Sequence, residues 1–384
     1  MIDFYTPPVL TPSCLPGDLV RMRPTFVPQL PHAAAAWQIL YASTNSRDEL
    51  ITASGTVILP DTDHTDSDTA PDSRPGRGAL LVYCPPFHGL GGRAASQMLA
   101  VGDESDSTEI SAALEQGWVV AVPDGAGLGV TGMGPHTFLA RAGGQIVLDM
   151  ARAAQCVPEL DSDDRVVASM PVVAWGYADG GRAVAAAGEL HQRYAPEIDL
   201  RGICAGAVAS DLAAIAPAIS RGPCAPLGLA ALIGLSRAYS HLRLRHVLNE
   251  EGQRAAAEAE TLDGVELFER YPQPLSHFCV REDPWNDLMW RFVLASECLA
   301  HNAPSAPLHL YHGHTDRVIP VRAGLRTLIA YRQRQAEVTW REYDSGHGGT
   351  ALEAIGDVLT VLVHNLTRVT APGPVIGAPA PTGN

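Results

Sequence analysis

The chain contains no lysine: its 27 fixed positive charges are all arginine, set against 42 acidic side chains for a formal net charge of -15 over 384 residues. That balance argues against a nucleic-acid partner and against simple electrostatic attachment to an anionic membrane. The absence of lysine itself reads as base-composition bias in the source genome rather than as function. No apolar run approaches the roughly 18 residues needed to cross a bilayer, and no internal repeat is present. The seven cysteines, Cys14, Cys84, Cys156, Cys204, Cys224, Cys279 and Cys298, include no CxxC pair, which removes zinc-ribbon and thioredoxin-like readings. Cys84 and Cys204 lie in apolar runs and are expected to be buried thiols; one or two disulfides stay open if the protein is exported. Met1 to Pro8 lacks the basic and apolar regions of an export signal. The chain as written is therefore expected in the cytoplasm, or outside the cell if a leader has been removed.

What is present is ample apolar content, 46%, arranged as strands alternating with helices. Strands are expected at 79–83, 118–123, 172–176, 200–205, 307–312 and 338–343. Helical patterns lie between them, which implies a mainly parallel sheet covered on both faces, an α/β class. A Pro-rich arm precedes about Ala36. The acidic Ser/Thr/Pro stretch 61–77 reads as a mobile surface loop, and 370–384 as a disordered tail. From 214 to 302 the pattern is helical without a convincing strand, with helices expected at 226–235, 242–249, 251–261 and 287–299. The domain reading is thus a core of 1–213 and 303–369, a helical cap of 214–302, and the tail.

Within the core, Val172-Val173-Ala174-Trp175 runs into Gly176-Tyr177-Ala178-Asp179-Gly180-Gly181. This is the nucleophile elbow G-x-S-x-G with alanine where the serine should stand. The elbow is a strained strand-to-helix turn whose flanking small residues let strand and helix approach closely. Every steric requirement survives, but a methyl group cannot attack a carbonyl.

The rest of a hydrolase triad follows in the order nucleophile, acid, histidine. Asp316 lies just past the expected strand 307–312, where catalytic groups gather in open α/β sheets; its plainer role is to cap the helix expected from Val321 to Arg332. His347 sits in the Gly-flanked loop Ser345-Gly346-His347-Gly348-Gly349. Asp344, three residues earlier, is the runner-up acid. His312 and His314 flank a glycine but lack a third ligand, so no metal is expected. An oxyanion hole needs two backbone N–H groups. Asp179 offers one, and Phe87 or His88 the other, because Pro85 and Pro86 have none.

With these motifs the chain resembles the secretory lipases of bacteria and fungi, α/β-hydrolases with a helical cap. The resemblance runs from Phe4 to about Arg368 and includes Phe4-Tyr5-Thr6-Pro7-Pro8, His88-Gly89-Leu90-Gly91, Pro123-Asp124-Gly125-Ala126-Gly127 and Gly134-Pro135-His136-Thr137. It implies the catalytic serine's place at Ala178, the acid at Asp316, the base at His347, and an oxyanion region at Phe87, His88 and Asp179. It also implies hydrolysis of lipid or other acyl esters without a cofactor, and an acyl pocket in the cap, for which Leu229, Leu232, Trp285 and Met289 are candidates. The chain is accordingly read as a lipase- or esterase-type hydrolase in a nucleophile-less, inactive form, made by replacing serine. The alternative is a natural pseudoenzyme that binds an acyl ligand or a protein. A displaced nucleophile at Asp179 fits badly, because it puts Tyr177 where the motif needs glycine.

Overall fold

The computed structural model describes residues 3–61, 76, 78–158 and 170–368. The expected tail, and all of the expected surface loop but Asp61 and Gly76, lie outside the described residues. Among the described residues, nine strands form one sheet: β1 (Leu19–Thr25), β2 (Ala33–Thr44), β3 (Leu50–Pro60), β4 (Leu80–Cys84), β5 (Val119–Pro123), β6 (Val172–Tyr177), β7 (Leu200–Gly206), β8 (Leu308–Gly313) and β9 (Val338–Tyr343). Their order is β1-β2-β3-β5-β4-β6-β7-β8-β9. β1 pairs antiparallel with β2, β2 with β3 and β3 with β5; from β5 to β9 every pairing is parallel.

The parallel part is apolar because both of its faces are covered. Every position of β4, β5 and β6 is buried. Alternate side chains point to opposite faces, so Leu80, Val82 and Cys84 join one core while Leu81 and Tyr83 join the other. Twelve helices accompany the described sheet: α1 (Ala95–Val101), α2 (Ser107–Glu115), α3 (Ala140–Gln155), α4 (Asp179–Tyr194), α5 (Pro226–Ala238), α6 (Glu250–Ala259), α7 (Gly264–Arg270), α8 (Leu275–Phe278), α9 (Leu288–Ser296), α10 (Val321–Gln333), α11 (His347–Glu353) and α12 (Ile355–Thr367). The Ala/Gly-rich helices α3 and α4 pack in the first core, and α1, α2 and α12 contribute to the second. Close approach of α3 to α4 depends on Gly144, where a Cβ would sit 2.8 Å from the backbone of Ala186.

The expected core strands therefore form, within a residue or two. Three readings change. The N-terminal arm holds β1, which pairs with Ala36 to Tyr41 of β2 and gives the antiparallel edge, and the first residues of β2, which pair with β3. The helix expected at 242–249 is only a short 3-10 turn, Leu244–His246; its backbone pairs outward instead, through a Leu248–Cys279 bridge and a Val280 N–H donated to the Val247 carbonyl at 2.8 Å. Between β7 and β8 lie α5 to α9, with α7 and α8 not anticipated. Asp263 begins α7 with a reciprocal cap, accepting the Glu266 N–H at 2.9 Å. None of the seven cysteines forms a disulfide, and Cys84 and Cys204 are buried. No helix among the described residues is long and apolar enough to cross a membrane.

Candidate active site

Ala178 stands between the end of β6 and the start of α4 with φ 52° and ψ -111°. A non-glycine residue in this sparsely populated region stores about 1–3 kcal/mol of strain, held by its surroundings. The surroundings are identifiable. A Cβ at Gly176 would run into the Gly180 carbonyl, and one at Gly180 into the carbonyls of Cys84 and Pro85. The Ala178 N–H donates to the Gly206 carbonyl at 2.9 Å. The glycines of the motif thus let β4, β6 and α4 meet closely enough to force the turn.

His347 opens α11, and its Nδ1 lies 2.7 Å from Oδ2 of Asp316. The other carboxylate oxygen, Oδ1, accepts the N–H groups of Val318 at 2.8 Å and Ile319 at 2.9 Å. Asp316 is enclosed and fixed by the turn after β8, and Pro320 rather than Asp316 begins α10. Asp344 is exposed, leaving the His347 ring to Asp316. His312 and His314 separate. His312 is fully buried and donates from Nε2 to the Ile319 carbonyl at 2.7 Å, with burial holding it below the usual histidine range. His314 is largely exposed beside Glu342.

A second pair was not read from the sequence. His136, buried, places Nε2 2.7 Å from Oδ2 of Asp179 and Nδ1 3.0 Å from the Ala126 carbonyl. Burial would push the Asp179 carboxyl up, but His136 and Arg182 outweigh it and hold it below the usual range. The Gly134-Pro135-His136-Thr137 stretch was the available signal; nothing in it says which partner the imidazole takes.

Ala178, Asp179, His347 and Phe87 line one cavity of about 330 Å³. Its remaining wall is largely aliphatic, including Leu212, Ile215, Leu227, Ala231 and Leu235. His88 is not part of that wall. Its side chain turns away to Glu104, 3.1 Å distant. The four pocket candidates also fall elsewhere. α5 presents Leu227, Ala231 and Leu235 to the cavity at a four-residue spacing, so Leu229 and Leu232 face the core and are fully buried. Trp285 donates to the Ser220 hydroxyl at 2.9 Å and packs edge-on against Trp290. Met289 is about half exposed beside a different surface cavity.

A strained residue at a strand-to-helix elbow after β6, on one cavity with a histidine after β9 that is held by a carboxylate after β8 of a mainly parallel sheet, fits the α/β-hydrolase fold. Candida antarctica lipase A has that architecture with a TM-score of 0.80, at 19% identity over 96% of this chain and 86% of its own. The family model for secretory lipases matches residues 93–367, and the chain belongs to that family. Among sequence relatives, a probable trichothecene esterase of Stachybotrys chartarum is 27% identical over 86% of this chain and 69% of its own length. A protein named a probable inactive lipase, from Mycobacterium tuberculosis, is 31% identical over 68% of this chain and 58% of its own.

Proposed function

We propose that the protein is a lipase- or esterase-type hydrolase in an inactivated form, made by replacing the serine at 178 with alanine: it accommodates an acyl ester in the aliphatic cavity and does not cleave it through an acyl-enzyme. The reading rests on one observation, that Ala178 keeps the strained elbow conformation on the same cavity as the Asp316-paired His347. In this reading Asp316 accepts the Nδ1 proton of His347, which aims the base at position 178. The Asp179 N–H and, of the two alternatives, the N–H of Phe87 serve the oxyanion, because Phe87 lines the cavity and His88 is turned toward Glu104.

A serine at 178 would then give its proton to His347 as its oxygen attacks the ester carbonyl. The negative charge forms between the two N–H groups, and His347 returns the proton to the departing alcohol. Removing such a serine typically lowers kcat by on the order of 10⁶. Ala178→Ser is therefore expected to raise hydrolysis of p-nitrophenyl and glyceryl esters by at least about 10³ over the parent. A serine variant that folds but turns over no member of a broad ester panel refutes the acyl-transfer assignment.

A second reading is a natural family member that binds an acyl ligand or a protein partner without turnover, and the name of the Mycobacterium tuberculosis relative favours it. Displacement of a fluorescent fatty-acyl probe from the parent chain by unlabelled esters, lost on substituting Ala231→Trp in the cavity wall, tests the acyl form of this reading.

A further inference from the structure

A buried group of ligand-type side chains lies next to this site and takes no part in the chemistry above. His88 Nε2 is 3.1 Å from Oε1 of Glu104, and that oxygen also accepts the Asp106 N–H at 3.2 Å and the Ser105 hydroxyl at 3.3 Å. Oε2 of Glu104 and Oδ2 of Asp106 are buried without any hydrogen-bond partner. Glu104 is 2% exposed and Asp106 9%. Three residues along α2, Oε2 of Glu109 is likewise buried and unpartnered. Among the described residues this is the one group of three or more potential ligands whose donor atoms, one each from His88, Glu104 and Asp106, lie within 4.8 Å of one another.

We infer that His88, Glu104 and Asp106 form a site for a divalent cation of the zinc type. Asp106 is met by the Ser105 hydroxyl and by Tyr83, and Glu104 by His88, yet one enclosed oxygen on each carboxylate keeps no donor, which leaves part of the desolvation uncompensated. A divalent ion balances two carboxylates and a neutral imidazole to zero net charge. The spacing lets one ion with bonds of about 2.0–2.2 Å reach all three after small side-chain shifts. A mixed imidazole and carboxylate set suits zinc or manganese rather than calcium or magnesium, which prefer oxygen alone. Three protein ligands leave one coordination position open, and His88 borders a small cavity of about 50 Å³ shared with Phe87, His136 and Asp179.

The site would tie the start of α2 to the loop after β4. That loop is already held on its other side: the His88 carbonyl accepts the Gly264 N–H at 2.6 Å, and Gly89 bridges to Asp263. An ion at His88 fixes the segment that brings Phe87 to the cavity beside Ala178. The inference stands on these three side chains and does not depend on how position 178 is read.

The test uses the full chain, stripped with chelator and dialysed against zinc at pH 7. Elemental analysis is expected to give one zinc per chain. At zinc about 100-fold above Kd the Tm should rise on the order of 3 °C, with a smaller response to calcium or magnesium. Glu104→Gln and Asp106→Asn should each weaken zinc binding by at least about tenfold. Anomalous diffraction at the zinc edge places the ion independently of whether either variant folds. Far less than one zinc per chain with an unmoved Tm, undiminished binding in both variants, or a density peak away from His88 would each overturn the site.

Discussion

Two histidine–carboxylate pairs flank position 178, and both close at 2.7 Å. His347 commits Nδ1 to Asp316, no hydrogen bond engages its Nε2 among the described residues, and the ring borders the cavity. His136 has both nitrogens engaged. Its Nδ1 faces the Ala126 carbonyl, which can only accept, and its Nε2 faces the Asp179 carboxylate. Both ring nitrogens of His136 are thus taken up by fixed partners, and neither is left open toward residue 178. The two pairs look alike as distances and differ as chemistry. Whether a buried histidine is a base or a brace follows from what its second nitrogen touches.

The sharpest way to separate the pairs is in the Ala178→Ser background. There His347→Ala should erase nearly all the gained ester hydrolysis, on the order of 10⁶ in kcat for a fully assembled triad. His136→Ala should lower kcat by less than about 10², because it disturbs a neighbour and not the proton acceptor. Equal losses in the two variants would erase the distinction. Next in size, Asp316→Asn in the same background should cost about 10⁴ in kcat, since an amide favours the wrong tautomer of His347.

The brace is tested by stability against pH. Asp179 is held below the usual carboxylate value of about 3.9, so its contribution is present above that pH and is lost as pH falls through the folded-state value. The Tm gap between the parent and Asp179→Asn should thus be open at pH 5 and close on acidification below about pH 4. A gap that widens with acid contradicts the pairing. The smallest effect concerns the elbow alone. Ala178→Gly relieves the positive φ but loosens the unfolded chain, so denaturant unfolding should report a change within about 1 kcal/mol, stabilising if strain dominates.

The parallel core and the elbow were legible because their constraints are local. Buried parallel strands must be apolar throughout, and the close joint at Gly176 and Gly180 leaves only small residues there. The Asp316–His347 pairing was legible from chain order, the acid lying just past the buried strand β8 and the histidine past the partly exposed β9, whose β-branched and aromatic residues mark it as a strand. The cavity wall was not. α5 is apolar on more than one face, so hydrophobicity alone could not choose Leu227, Ala231 and Leu235 over Leu229 and Leu232. The helix expected at 242–249 failed because pairing with residues 279 and 280, a long-range contact, took its backbone. His136, and the cluster of His88, Glu104 and Asp106, were missed for one reason. Charged and polar residues read as surface in a sequence, and only tertiary packing shows that these are enclosed.

The joint of β4, β6 and α4 also sets what an experimenter can do with this protein. The direction in which residue 178 leaves the backbone is dictated by carbonyls packed against Gly176 and Gly180, not by the alanine itself. A cysteine placed there would start from the same point as a serine, bordering the same aliphatic cavity. The position can be loaded with a chosen reactive atom while the surrounding packing stays as it is, and under the proposed function a cysteine there would displace the alcohol of a bound ester and hold its acyl group as a thioester.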